Sequence, residues 1–169
     1  NSFITSVITK EDLVFDTVLK DAMPTDTKNR FRLSVHSPVT LSAYDIDGNH
    51  TGKVCPADSD FCYVEENIIN SSYLEFGEGK YINLPEEEFA VVRLQGTGIG
   101  TFTYESEKVL PGNISTTTSF INIPVTTQTQ VEIVSSTTAG VLELKLDITG
   151  DGVADFSLSP SNEFDPAIY

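Results

Sequence analysis

From Arg30 onward the chain alternates apolar and polar positions with a period of two, the pattern of half-buried strands. RFRLSV and VTLSAYDI show it first, with Pro38 between them, and IDGN follows as a tight turn carrying Asp-Gly and Gly-Asn steps. YINLP reads as a short strand. FAVVRLQ and GTFTYESEKV flank GTGI, whose glycines are expected to supply positive φ. TTSFINIPV and TQVEIVSS are two more strands rich in β-branched residues. VLELKLDI then leads through TGDG into ADFSLS, with Leu142, Leu144, Leu146 and Ile148 on one face. Turn signals recur at the spacing of antiparallel strands, not of βαβ units. The predicted fold class is all-β: an antiparallel Ig-like β-sandwich with a short N-terminal helix.

Residues 1–29 follow a different rule. In ITKEDLVFDTVLKDAM, Thr9 stands as an N-cap with Asp12 three residues on. Leu13, Val14, Val18 and Leu19 come at near-helical spacing, and Pro24 stops the pattern. The expectation is a helix over about residues 10–21 and a polar linker, PTDTKN, with the sandwich domain at 30–169. The tail PSNEFDPAIY is expected to loop over the surface. Because the chain opens on Asn1 without a start methionine, it is read as processed or excised from something longer.

Charge narrows the partners. Asp and Glu number 25 against 10 Lys and Arg, a net charge of −15. Such a field repels phosphate backbones and anionic membrane surfaces, so nucleic acid is excluded as an expected partner. No apolar run approaches the roughly 20 residues of a membrane span. The bland counterpart is that acidity keeps an exported protein soluble.

Cys55 and Cys62 bracket the short polar stretch PADSDF. A disulfide between them, and hence an oxidising compartment, is the preferred reading, with two free thiols as the alternative. Zinc lacks two further soft ligands nearby, and the spacing is not that of a C-x-x-C redox pair.

The most specific local motif is DITGDGVAD. Asp147, Thr149, Asp151 and Asp155 fall at positions one, three, five and nine of an EF-hand-type loop, with Gly152 at six and the Val153 carbonyl at seven. Calcium wants six to eight hard oxygens, and a loop turning on Gly152 aims alternate side chains at one ion. Position twelve is Leu158, so the usual bidentate carboxylate is missing. The loop resembles the calcium loops of dockerins and type-3 thrombospondin repeats, which implies bound calcium as a cofactor. The competing reading is a plain hairpin turn between two leucine-faced strands.

Other candidates are weaker. Asp45, Asp47 and Asn49 sit in YDIDGNHTG, read as a hairpin turn, and Asp58 and Asp60 in a solvated loop. His36 closes a strand and His50 sits in a turn; neither belongs to a nucleophile motif. GTGIG opens no helix, so it fails as a dinucleotide fingerprint. Glu86 and Glu88 read as solvated charge rather than an acid/base pair. Sequons occur at Asn49, Asn70 and Asn113. Tyr63, Tyr73, Tyr81 and Tyr104 are the side chains to weigh for a sugar-stacking face.

SPVTLSAYDIDGNHTGKV, GKYINLP, FAVVRLQGTGIGTFTY, INIPVTTQTQVEIV and LKLDITGDGVADFSL together show a pattern. It resembles the C-terminal β-sandwich module of secreted bacterial lipase-like α/β-hydrolases and surface proteins. The carrying motifs are Ser37–Val39, the Asp45–Gly52 turn, Gly96–Phe102 and Asp147–Gly152, within about residues 31–160. The resemblance implies a non-catalytic, extracellular accessory module. Its partner would be the parent hydrolase or surface-protein domain, and the nucleophile would lie upstream. A carbohydrate-binding module or adhesin domain that holds a polysaccharide is the alternative.

Overall fold

The computed structural model describes residues 29–36, 38–85, 91–110, 114–135 and 142–160. The expected helix at 10–21, the linker, most of the tail, Glu86, Glu88 and Asn113 lie outside the described residues. Among the described residues the protein is all-β, with twelve strands and no helix. They are β1 (Arg30–His36), β2 (Ser42–Tyr44), β3 (His50–Val54), β4 (Tyr63–Glu66), β5 (Ser72–Phe76) and β6 (Gly79–Pro85). Then come β7 (Val91–Gln95), β8 (Gly100–Leu110), β9 (Ile114–Val125), β10 (Gln130–Ser135), β11 (Leu142–Asp147) and β12 (Phe156–Leu158).

The strands form two antiparallel sheets packed as a sandwich. One sheet has five strands in the order β5-β6-β1-β8-β9 and the other seven in the order β12-β11-β10-β7-β2-β3-β4. The alternation legible in the sequence is the alternation of burial. Leu33 and Val35, Ile82 and Leu84, and Phe102 and Tyr104 point inward from the first sheet. Val92 and Leu94, Val131 and Ile133, and Leu142, Leu144 and Leu146 meet them from the second, in one core. Burying one such side chain stabilises by roughly 1.5–3 kcal/mol, so the alternation itself fixes which face of each strand turns inward.

β9 departs from strict alternation. Phe102 pairs with Ile123 while Tyr104 pairs with Phe120, so β9 carries one extra residue opposite β8. Asn122 takes it up with φ at 58°. The bulge turns Asn122 outward and brings Phe120, Ile123 and Val125 all into the core.

Two local expectations are corrected. The glycines of GTGI do not adopt positive φ; the left-handed glycines include Gly48, Gly77, Gly150 and Gly152 instead. Gly96 is required for close approach, because a Cβ there would run into the carbonyl of Thr126. His50 is the first residue of β3 rather than part of the turn.

β3, β4 and β5 have no counterpart in the predicted elements. β4 and β5 are edge strands with mostly exposed side chains, so they carry no burial alternation. Polar contacts lace these edges together: Lys53 Nζ to Glu75 Oε2 at 2.9 Å, Thr51 Oγ1 to Ser71 Oγ at 2.6 Å, and Tyr73 N donating to Glu66 Oε1 at 2.7 Å. Cys55 and Cys62 are joined by a disulfide that closes the loop between β3 and β4.

Candidate functional site

The outer face of the seven-stranded sheet carries a set of hydrogen-bonding side chains around one concavity. Strand register lines them up. Ser42 faces Arg93, Arg93 faces Glu132, Glu132 faces Lys145, and Lys145 faces Ser157, one row across β2, β7, β10, β11 and β12. A second row runs from Gln95 through Gln130 to Asp147. The loop after β11 rises beside them with Gly152, Val153 and Ala154, and the resulting groove has a volume of about 580 Å³.

One end of the groove is organised by a chain of side chains. Arg93 Nε donates to Glu132 Oε2 at 3.3 Å, and its guanidinium carbon lies 5.2 Å from the centroid of the Tyr44 ring. Tyr44 packs on His50 at 4.9 Å, and His50 Nδ1 lies 2.9 Å from Glu65 Oε2. These contacts fix Arg93 and cover part of Tyr44. Gln130 and Lys145, which also line the groove, make no side-chain hydrogen bond or ion pair with any described residue.

In the DITGDGVAD loop the carboxylates accept hydrogen bonds from the loop's own backbone. Asp147 Oδ1 accepts from Gly150 N at 2.6 Å and from the Thr149 hydroxyl at 3.3 Å, while Oδ2 accepts from Gly152 N at 2.8 Å. Asp151 Oδ1 accepts from Val153 N at 2.8 Å, and Asp155 Oδ2 from Ile148 N at 2.8 Å. Burial acts to raise the Asp147 pKa, but the Gly152 and Gly150 amides, the Thr149 hydroxyl and the Asp151 amide outweigh it and hold the carboxyl below its ordinary value. The residue types suit a hard cation. Among the described residues no three His, Cys, Asp or Glu side chains are grouped to hold a metal ion. As folded, each carboxylate caps the loop's own amides.

The Asp45 turn repeats this chemistry on a smaller scale. Asp45 Oδ1 accepts from Asn49 N and Oδ2 from Asn49 Nδ2, both at 2.7 Å. The Asn49 side chain, reinforced by amides of the turn, lowers the Asp45 pKa.

Of the four tyrosines weighed for sugar stacking, Tyr104 is fully buried in the core and drops out. Tyr63, Tyr73 and Tyr81 stand on β4, β5 and β6, away from the groove. Tyr44 is the aromatic side chain at the groove, and sequence reasoning missed it. The groove residues were equally hidden, because their contiguity arises only from register across five strands. No protein-family model, curated protein or solved structure matches the chain.

Proposed function

We propose that this chain is a non-catalytic, extracellular accessory module of Ig-like sandwich type, part of a larger secreted hydrolase or surface protein. It makes its contact through the outer face of the seven-stranded sheet. The observation that carries the reading is the groove: two polar rows on firmly paired strands, with Gln130 and Lys145 unengaged along it. The disulfide supports an oxidising, exported setting. No described helix is long and apolar enough to cross a membrane. The groove's carboxylates already have structural partners, Glu132 with Arg93 and Asp147 with backbone amides, which supports a binding role over acid/base chemistry.

The test uses the complete reading frame. The region upstream of this chain should associate with it, and Gln130→Ala with Lys145→Ala should weaken that association without lowering the melting temperature. Undiminished association in the double variant would remove the groove from the account.

A second reading, a carbohydrate-binding module, is favoured by the mixture of donors and acceptors along the two rows, which suits a polyhydroxylated chain. Retention on a glycan array, lost in the same double variant, would promote it over the first. We also propose that the Asp147 loop is closed by its own amides and works without calcium.

A further inference from the structure

We infer that Asn70 is an N-glycan acceptor site and that Asn49, which carries the same sequence signal, is not. Both lie in Asn-x-Ser/Thr triplets, Asn49-His50-Thr51 and Asn70-Ser71-Ser72. Both carry the acceptor pattern; the fold separates them.

Acceptance needs two groups presented together, the asparagine amide and the hydroxyl two residues on. At Asn49 neither is presented. Nδ2 donates to Asp45 Oδ2 at 2.7 Å, and the backbone N–H of the same residue donates to Oδ1. Thr51 is fully buried, and its hydroxyl bonds Ser71 Oγ at 2.6 Å. Offering this triplet to an enzyme means opening the β2–β3 hairpin, and a glycan on Nδ2 would stand where the Asp45 carboxylate closes the turn.

At Asn70 both groups are on the surface. Asn70 is exposed in the tight turn between β4 and β5, with φ at 60°. Its side-chain amide has no partner among the described residues. The turn is held through other atoms: Ser71 N and Ser71 Oγ both donate to Ile68 O, and Arg30 donates to the Asn70 carbonyl. A substituent on Nδ2 therefore disturbs none of the bonds that shape the turn. Ser72, also exposed, is the first residue of edge strand β5, where the chain is open on one side.

The co-substrate is an oligosaccharide carried on a lipid phosphate. The Asn70 Nδ2–carbon bond forms at the anomeric carbon as the bond from that carbon to the phosphate oxygen breaks. The lipid phosphate leaves with the bonding pair, and the amide gives up one proton to base. No redox partner is involved. The inference rests on the exported reading only for its setting in the native cell, and the following experiment tests the site apart from that setting.

The full chain is directed through the secretory pathway of an N-glycosylating yeast. Secreted protein is treated with an amidase that releases N-glycans in ¹⁸O water, which leaves labelled Asp at each occupied position, and is mapped by peptide mass spectrometry. Label is expected at position 70 and not at position 49, and Ser72→Ala should abolish it at position 70 while leaving Asn70 and its turn in place. Secreted, folded protein without label at 70, or with label at 49, overturns the inference. Retained label at 70 in Ser72→Ala overturns it as well, because the acceptor would not be this triplet.

Discussion

Two acidic turns of this sandwich solve the same problem with different degrees of support. The Asp45 turn joins β2 to β3, and the Asp147 loop joins β11 to β12. In each, a nearly buried aspartate, 6% exposed, accepts hydrogen bonds from residues that follow it. In each, a left-handed glycine makes the turn possible: Gly48 at φ 84° in the first, Gly150 and Gly152 at 73° and 86° in the second. The Asp45 turn is self-contained. Its carboxylate is met by Asn49 and by amides of the turn itself, and a Cβ on Gly48 would meet nothing within 4 Å. The Asp147 loop is docked. A Cβ on Gly150 would come within 2.6 Å of the Gln128 carbonyl oxygen, in the turn between β9 and β10. That same turn is held from its other side by Gly96, whose N–H donates to Thr129 O at 2.9 Å. In both places an aspartate closes the turn through hydrogen bonds, and the difference lies in what the closure leans on.

The largest expected effect separates the two directly. Gly150→Ala combines left-handed strain with a backbone collision and should destabilise by roughly 2–5 kcal/mol in urea unfolding. Gly48→Ala carries the strain alone, roughly 1–2 kcal/mol. Equal losses would show that the Asp147 loop is not docked on the neighbouring turn. Replacing Cys55 and Cys62 by serine gives a scale between them, about 2–3 kcal/mol for a loop of this length in the chain-entropy model.

Asparagine substitutions sharpen the contrast. Asp147→Asn turns an amide group towards the backbone N–H of Gly150 or Gly152, and neither donor can move away without deforming the loop. Asp45→Asn meets the Asn49 side chain at one of its two contacts, and that side chain can swing into water. The melting temperature should therefore fall more for Asp147→Asn than for Asp45→Asn. The reverse order would mean that the smaller turn is the more rigid.

A smaller effect follows from pH. Both carboxyls sit below their ordinary value of 3.8 in the folded protein. The sign is that of a depressed folded pKa: the stabilisation is complete well above 3.8 and is lost as pH falls through 3.8 towards the folded values. Between pH 5 and pH 2 (roughly the titration window of such groups) the double variant Asp45→Asn/Asp147→Asn should lose less stability than the natural protein. An identical acid slope would assign the acid sensitivity to other carboxylates.

Much of the fold was legible because burial and alternation coincide. Leu142, Leu144 and Leu146 could be placed on one inner face from their spacing, and they are buried there. β4 was illegible for the opposite reason: Tyr63 and Val64 are each 50% exposed, so neighbouring positions report no face. The β9 bulge was hidden because Asn122, read by parity alone, belongs on the inner face with Phe120. The DITGDGVAD residues do lie together in one loop, as their proximity in the chain requires. Their chemistry depends on the direction of each carboxylate, which spacing does not encode. The groove was the least legible feature, since Ser42, Arg93, Glu132 and Lys145 become neighbours only through strand order.

The most direct test of the central claim, that the acidic loop is closed by the protein's own amides, is the melting temperature in chelator and in calcium at about 10 mM, a saturating dose for a weak extracellular site. An ion that binds only the folded loop would raise the melting temperature by mass action. The account predicts the same melting temperature in both buffers, for the natural protein and for Asp151→Ala. A rise with calcium in the natural protein that disappears in Asp151→Ala would contradict it and make the loop a metal site.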